Sequence, residues 1–340
     1  MLRTYFLLAL ILFISTISFS QEKKIEDKAE TVTEIEKFKP NGRALVKIFA
    51  NYHTNFAEIS KMQIERAYLG YNYNFSENYS AKITLDVTGT DFYGKLRYDV
   101  FLKIAQLQYK KNKTTIKVGL IPTTQFKVQE KFWGYRYIMK SFQDIYRMNG
   151  SADLGVSVDY KIFDNFSVDV IVQNGEGYKS IEPTGTYRGG LGLTYLPIKS
   201  LIIRVYSDIS SMPDVNRVNF AAFIGYKFKK LFKVGAEYNL QIGNKFVQEK
   251  EYSGVSAYTT VFISKKFNVF ARYDLVKSNT LENDIEPWYI KRNGNGLIAG
   301  IEYSPIKGVK VSTNYRGWQS DITSKDFESM FYLNFQYSFK

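Results

Sequence analysis

The chain has 340 residues and no cysteine, which excludes disulfides and a lipid-modified N-terminal cysteine. Its formal net charge is +13, but no nucleic-acid-binding motif accompanies that charge, so we expect no nucleic-acid partner. Beyond the N-terminal region, no stretch offers the roughly 18 uncharged apolar residues that a membrane-spanning helix needs. Aromatic residues make up 16% of the chain, a share that suits the interfacial belts of a membrane barrel.

The N-terminus has the pattern of an export signal. Arg3 supplies a short positive region, residues 5–14 form an apolar run, and Ser18 and Ser20 form a small-x-small cleavage site. We therefore predict a cleaved signal peptide over residues 1–20. Residues 21–41 are highly charged and predict a periplasmic linker; the alternative, a short oligomerising helix, is disfavoured because isolated helices of this length are marginal.

From residue 42 to residue 340, strand patterns follow one another. In the first strand, Ala44, Val46 and Ile48 alternate with polar or cationic residues, and the same period of two recurs along the chain. Lipid outside and water inside require this repeat. The run 99–110 is a less regular fourth strand. The count is about sixteen, which predicts an all-β fold, a transmembrane antiparallel β-barrel spanning residues 42–340.

The connections between these strands also carry a pattern. Tight turns are predicted at residues 76–78, 111–113, 163–165, 197–199, 229–230, 264–266 and 305–307. Long connections are predicted at residues 52–61, 88–98, 122–152, 174–185, 208–216, 243–252, 277–296 and 317–329. Strict alternation of short and long is typical of barrels in the outer membrane of Gram-negative bacteria, with short periplasmic turns and long external loops.

The third long connection, residues 122–152, exceeds the usual connection length and is rich in aromatic and cationic residues. We predict that it folds into the lumen and sets the bore of a pore, without a convincing helix. A positive constriction within a low-dielectric wall would raise the local anion concentration. In the alternative, its aromatic residues dock the loop and its cations are merely solvated. The predicted constriction residues are Lys127, Lys131, Trp133, Arg136, Lys140 and Arg147.

The strand pattern also predicts which charged side chains line the lumen, because a cation facing lipid near mid-bilayer costs roughly 2–4 kcal/mol. The predicted lumen cations are Arg66, Lys82, Lys117, Arg188, Arg204, Lys227, Lys233, Arg272, Lys310 and Arg316. The predicted lumen acids are Asp86, Asp159, Asp169, Asp208, Glu237, Asp274 and Glu302. Rings of charge select ions in wide pores, but cations and acids that pair across the wall would instead hold it rigid.

Several short motifs carry a resemblance to a known family. They are Val118-Gly119-Leu120-Ile121-Pro122 before the long third loop, Asp153-Leu154-Gly155-Val156 after it, Val172-Gln173-Asn174-Gly175, and Ala271-Arg272-Tyr273-Asp274. With them the chain resembles the phosphate-selective porin O and P family, sixteen-stranded outer-membrane channels also widespread in the Bacteroidota. The resemblance implies a homotrimer in membrane lipid whose third loop narrows the lumen. Tyr337 and Phe339 resemble the terminal signal that the barrel-insertion machinery recognises, although Lys340 follows them.

The leading hypothesis is therefore a porin for passive diffusion of small hydrophilic solutes, with a preference for anions such as phosphate. The second is a closed structural or adhesin-like barrel that acts through external loops such as residues 277–296, which contain Trp288 and Tyr289. A barrel enzyme is the weakest, because the only histidine, His53, is predicted to lie in the first external loop without a recognisable catalytic motif. We expect no catalytic site, metal or cofactor.

Overall fold

The computed structural model describes residues 38–180, 185–322 and 324–339. The predicted signal peptide, most of the predicted linker and Lys340 lie outside the described residues. Sixteen strands follow in chain order: β1 (Asn41–Thr54), β2 (Ser60–Asn74), β3 (Tyr79–Phe92), β4 (Lys95–Lys111), β5 (Thr114–Pro122), β6 (Ala152–Phe163), β7 (Phe166–Gln173), β8 (Arg188–Ile198), β9 (Leu201–Ser211), β10 (Asn216–Phe228), β11 (Phe232–Ile242), β12 (Glu251–Phe262), β13 (Phe267–Ser278), β14 (Gly294–Tyr303), β15 (Val309–Ser320) and β16 (Glu328–Phe339).

These strands form one closed barrel. Each strand pairs antiparallel with its neighbours in sequence, and β1 pairs with β16 from Val46 opposite Phe339 to Thr54 opposite Phe331. Because the first and last strands join, no edge is left with unpaired backbone groups. The predicted sixteen-stranded antiparallel barrel is confirmed.

The period of two divides each strand between an inner and an outer face. In β9, Arg204, Tyr206 and Asp208 are buried inside, whereas Val205 and Ile209 are exposed outside. At the short-turn end of the barrel, aromatic rings from neighbouring strands contact each other on the outer face. An apolar outer band bordered by aromatic residues is typical of membrane barrels.

The predicted long connection at residues 88–98 is wrong. β3 runs to Phe92 and β4 begins at Lys95, so only Tyr93 and Gly94 join them. Both have positive φ, 51° and 74°, as in the type I′ turns that suit two-residue hairpins. The alternation of short and long connections is therefore not strict. The connections at residues 55–59 and 212–215 are also shorter than predicted, and His53 lies in β1 rather than in a loop.

The irregular pattern of β4 has a local cause. Leu102 pairs with Leu85 and Ile104 pairs with Thr84, so Lys103 is an extra residue in the ladder, a β-bulge. The bulge shifts the alternation by one residue, and this places Lys103 on the inner face.

The expectation of no helix is wrong. Residues 123–151, called the third loop below, contain α1 (Lys127–Trp133) and α2 (Phe142–Ile145). Helices this short are not stable alone, and here Trp133 and Phe142 bury them against the wall. Gly134 caps the C-terminus of α1; its φ of 79° suits glycine, and its N–H donates to Glu130 O. In the part of the chain that the structure describes, no helix is long and apolar enough to cross a membrane.

Candidate pore lining

The third loop packs against the inner faces of strands β9–β16. Its backbone carbonyls accept hydrogen bonds from inward-facing side chains spread over that wall. Arg204 donates to Thr124 O at 2.8 Å on one side, and Arg316 donates to Ile138 O at 2.9 Å on the other. Backbone groups that leave water need such partners, so the strand side chains fix where the loop lies.

A cluster of aromatic rings fills the space between the loop and this wall. Trp133 and Tyr135 lie edge to face at 5.0 Å, and their rings contact Tyr258 and Phe270 of the wall at 5.4 Å and 4.5 Å. Trp133 is only 1% exposed, and its Nε1–H donates to Met139 O. This predicted constriction residue therefore anchors the loop by packing and does not face open space.

Three carboxylates around the loop, on β7, β13 and β14, are paired with cations. The Arg204 guanidinium donates to both oxygens of Asp169 at 2.7 and 3.0 Å, and Arg272 does the same to Asp274 at 2.8 and 2.7 Å. The Lys310 Nζ lies 2.9 Å from an oxygen of the buried Glu302. Bidentate pairs of this kind are strong and directional, and a buried charge is tolerated when it is paired in this way.

The loop's own cations fall into two groups. Lys127 pairs with Asp159 and lies 3.3 Å from Asp169; Arg136 lies 3.1 Å from Asp144, and Lys140 lies 3.4 Å from the same carboxylate. The other two predicted constriction cations, Lys131 and Arg147, are exposed and form no ion pair within the described residues. The loop's excess positive charge therefore lies at Lys131 and Arg147.

The pKa values of the loop follow from these pairs. Burial lowers the pKa of Lys140, and the nearby Asp144 only partly opposes this shift. Burial alone would raise the pKa of Asp144, but the positive charges of Arg136 and Lys140 outweigh it and hold that pKa below the usual range. Asp144 is thus a stable anion, while Lys140 loses its proton at a lower pH than an ordinary lysine.

The wall opposite the packed loop is formed by β2–β4 and is rich in cations. Three cationic groups converge on the phenolic oxygen of Tyr68: Arg66 Nη1 at 3.1 Å, Arg136 Nη2 at 3.2 Å and Lys103 Nζ at 3.4 Å. Arg66 also lies 3.4 Å from Asp86. Lys103 forms no ion pair among the residues that the structure describes. Its charge remains available to a solute.

A cavity of about 610 Å³ separates this wall from the third loop at the short-turn end. Cationic and aromatic side chains line it together with one carboxylate, that of Glu130. The cations are Arg43, Lys47, Lys82, Lys103, Lys127, Lys131 and Arg136. Such an excess of one charge within low-dielectric walls concentrates counter-ions of the opposite sign.

Four other predicted lumen cations lie in different surroundings. Lys117 lies 3.2 Å from Asp159, and Arg188 is buried on the inner face of β8. Arg316 stacks on the Tyr332 ring, with its guanidinium carbon 3.5 Å from the ring centre. Lys227 occupies an inner-face position of β10 at the short-turn end, where its side chain is exposed to solvent.

Sequence reasoning missed an acid that shapes the loop end. The Asp153 carboxylate accepts hydrogen bonds from the N–H groups of Gly175 at 2.6 Å and Gly177 at 3.1 Å. Both glycines have positive φ, 116° and 89°, which other residues adopt poorly. The two motifs that begin at Asp153 and end at Gly175 therefore meet in space. The signal available in the sequence was the aspartate that begins one motif together with the Gly-x-Gly pattern that starts at the end of the other.

The His53 ring packs against side chains of the barrel wall. Its ring stacks on Tyr332 at 5.1 Å, and Nδ1 lies 3.0 Å from Asn51 Oδ1. Its ring forms no other hydrogen bond within the described residues.

Comparison with solved structures finds porins. OmpF of Salmonella typhi in complex with daunomycin superposes with a TM-score of 0.70 at 12% identity, covering 88% of this chain and 97% of that one. The outer-membrane channel DcaP of Acinetobacter baumannii gives 0.63 at 14% identity, with 88% and 97% coverage. An anion-selective porin from Comamonas acidovorans gives 0.59 at 10% identity, with 88% and 100% coverage. No family model and no curated protein sequence matches the chain. At these identities the likeness establishes a shared barrel fold.

Proposed function

We propose that this chain is an outer-membrane porin through which small hydrophilic solutes diffuse passively, with a preference for anions, including phosphate-like ones. The observation that carries the proposal is the cavity between the third loop and the β2–β4 wall, where seven cationic side chains face one carboxylate. The third loop lies against the opposite wall and narrows the lumen beside this cavity. An anion entering there would meet Lys103 and Lys131, neither of which is neutralised by an ion pair.

The fold and the outer surface support a location in the outer membrane. The barrel is closed, its outer face is apolar, and the solved structures that share its fold are outer-membrane porins and channels. Export through the signal peptide 1–20, recognition of Tyr337 and Phe339 by the barrel-insertion machinery and assembly as a homotrimer belong to the same proposal. So does the lack of enzymatic activity, since His53 is held against Tyr332 and Asn51.

A second candidate is a closed barrel that acts through its external loops. The packed interior favours it, because the third loop's aromatic cluster and the ion pairs around it occupy space inside the barrel. The two functions differ in whether the barrel conducts ions.

The deciding experiment is the zero-current potential of the purified protein in a planar bilayer under a KCl gradient. We expect conductance with the sign of chloride permeation. The double substitution Lys103→Glu and Lys131→Glu should move that potential toward potassium, because it reverses two unpaired charges at the cavity. Lys307→Glu, on the exposed β14–β15 turn, is the matched control and should leave the potential unchanged.

Two results would contradict the proposal. Conductance without selectivity, or with potassium selectivity, would remove the anion preference, and the unselective case would leave a general porin. No conductance from folded, heat-modifiable protein would favour the closed barrel. For the finer preference, inorganic phosphate on one side should reduce the chloride current of the unaltered protein more than that of the Lys103→Glu, Lys131→Glu variant.

A further inference from the structure

A second recess, separate from the cationic cavity, lies at the long-loop end between the third loop and strands β13–β16. Its volume is about 400 Å³, within the usual range for pockets that hold small molecules. Three of its lining residues, Trp318, Met330 and Tyr332, present apolar surface from β15 and β16. It combines this aromatic surface with an arginine that has no ion pair among the described residues.

That arginine is Arg316. Its Nε–H donates to Asn314 and its Nη2 donates to Ile138 O and Asn334, so its anchors are neutral oxygens. No carboxylate lies within ion-pair distance of it among the described residues. Its Nη1 makes no hydrogen bond there, which leaves donors for a ligand. Arg204 and Arg272, by contrast, each have a bidentate carboxylate.

Cationic side chains outnumber carboxylates around the recess. Asp274 is already bound by Arg272 and by the Tyr146 hydroxyl. Its negative charge is therefore partly neutralised and repels a bound anion less. Lys291, Arg292 and Lys325 also line the recess, against the single remaining acid Glu328. The recess therefore attracts a negative charge.

The apolar side of the recess is built into the strands. β14 carries glycine at positions 294 and 296, and an added Cβ there would meet the Trp318 ring at 2.8 Å and 2.9 Å. The missing side chains let this ring approach the β14 backbone closely. A ligand can then contact an aromatic face while its charged end reaches Arg316.

We propose that this recess binds a compact amphipathic anion, of the class of aromatic carboxylates, whose carboxylate pairs with Arg316 and whose ring lies along Trp318 and Met330. The proposal deepens the proposed function and rests on it, because it names a class of solute that the pore would hold in transit. The inorganic anions of the cationic cavity need no apolar surface, so the two sites differ in the ligands they prefer.

The test uses benzoate, with acetate and benzamide as probes that lack the ring or the charge. Calorimetric titration of the detergent-folded barrel should give saturable benzoate binding at least about tenfold tighter than that of either other probe, a difference of roughly 1.4 kcal/mol. Equal binding of the three probes would overturn the proposal.

Variants at Met330 keep the fold while changing the recess. Met330 lies opposite Arg316 in the β15–β16 ladder, so Met330→Glu supplies a carboxylate to Arg316 without removing its anchors. We expect Met330→Glu to weaken benzoate binding by about tenfold or more, and the matched Met330→Gln to change it by less than about twofold. Unchanged benzoate binding in Met330→Glu would contradict the site. If Met330→Glu does not fold, Trp318→Leu should remove the advantage of benzoate over acetate.

The binding result is independent of conduction. Benzoate binding by a barrel that does not conduct would refute the porin and leave the recess in place. A conducting barrel in which benzoate binds no better than acetate would refute the recess and leave the porin in place.

Discussion

Two arginines on the wall from β9 to β15 and one lysine on the wall from β2 to β4 differ in whether a carboxylate neutralises their charge. On the first, Arg204 and Arg272 lie under the third loop, at most 2% exposed, and each has a bidentate carboxylate. On the second, Lys103 borders a cavity and has no ion pair within the described residues. The difference teaches that Arg204 and Arg272, which the loop covers, are paired because burial of a lone charge is costly, whereas Lys103 at the cavity keeps a charge that can act on solutes.

The largest expected effect comes from breaking a pair on the covered wall. Arg272→Ala leaves Asp274 buried with the Tyr146 hydroxyl as its remaining partner, and it removes the donor to Lys140 O. We expect a loss of about 3–5 kcal/mol in the free energy of unfolding, measured by urea titration of the detergent-solubilised barrel.

The double variant Arg272→Met with Asp274→Leu should recover part of that loss, because it removes both charges together. Arg43→Ala, an exposed cation at the cavity of the other wall, is the control and should change stability by less than about 0.5 kcal/mol. Equal losses for Arg272→Ala and Arg43→Ala would show that the covered wall has no special dependence on pairing.

A matched pair of lysines sharpens the comparison. Lys310→Met leaves the buried Glu302 without its cation and should cost about 1–3 kcal/mol in the free energy of unfolding, with little change in ion selectivity. Lys103→Met should do the reverse, with a stability change of less than about 0.5 kcal/mol and a zero-current potential shifted toward potassium. Parallel urea titrations and bilayer recordings test both. The comparison fails if the two variants shift both quantities equally.

The smallest expected effect is a pH dependence from Lys140 of the third loop. Because burial lowers its pKa, this side chain becomes neutral below the pH at which an ordinary lysine, with a pKa near 10.4, would do so. The chloride preference should therefore begin to decline below that pH. Lys140→Met should start with a weaker preference and show a shallower decline. Identical pH profiles of the zero-current potential would exclude Lys140 as the titrating group.

The barrel was predictable because one face in oil and one in water impose a period of two over every strand. The inner-face positions of Arg204, Asp169 and Arg272 follow from that period alone. The prediction was less successful in the hairpin of β3 and β4. The bulge at Lys103 interrupts the period of two, so β4 looks irregular in the sequence. The two strands also continue to the Tyr93-Gly94 turn, beyond the strand ends that the sequence predicted.

The third loop was harder to predict because it has no internal period. Its length and its aromatic content predict a lumen segment, but the partners of its cations depend on contacts that only the folded loop and wall bring together. Lys127 pairs with Asp159 from β6, and Arg136 approaches Tyr68 from β2. Sequence patterns treat Lys127, Lys131 and Arg136 alike, and only the fold separates the paired cations from the exposed Lys131.

The pairing of β1 with β16, the seam of the barrel, determines which parts of the barrel can assemble first. Thr54 and Phe331 pair across the seam although nearly the whole barrel separates them in sequence, so this closure has a high entropic cost and comes late in folding. The third loop's anchors include Arg316 of β15 and Asn334 of β16, which contact Ile138 and Tyr137. Although the loop is synthesised before the second half of the chain, it cannot reach its final position until the last two strands are in place. Its final seating and the closure of the barrel therefore belong to the same late step, and a chain truncated before β15 would carry a loop held at Thr124 and Lys140 but not at Tyr137 and Ile138.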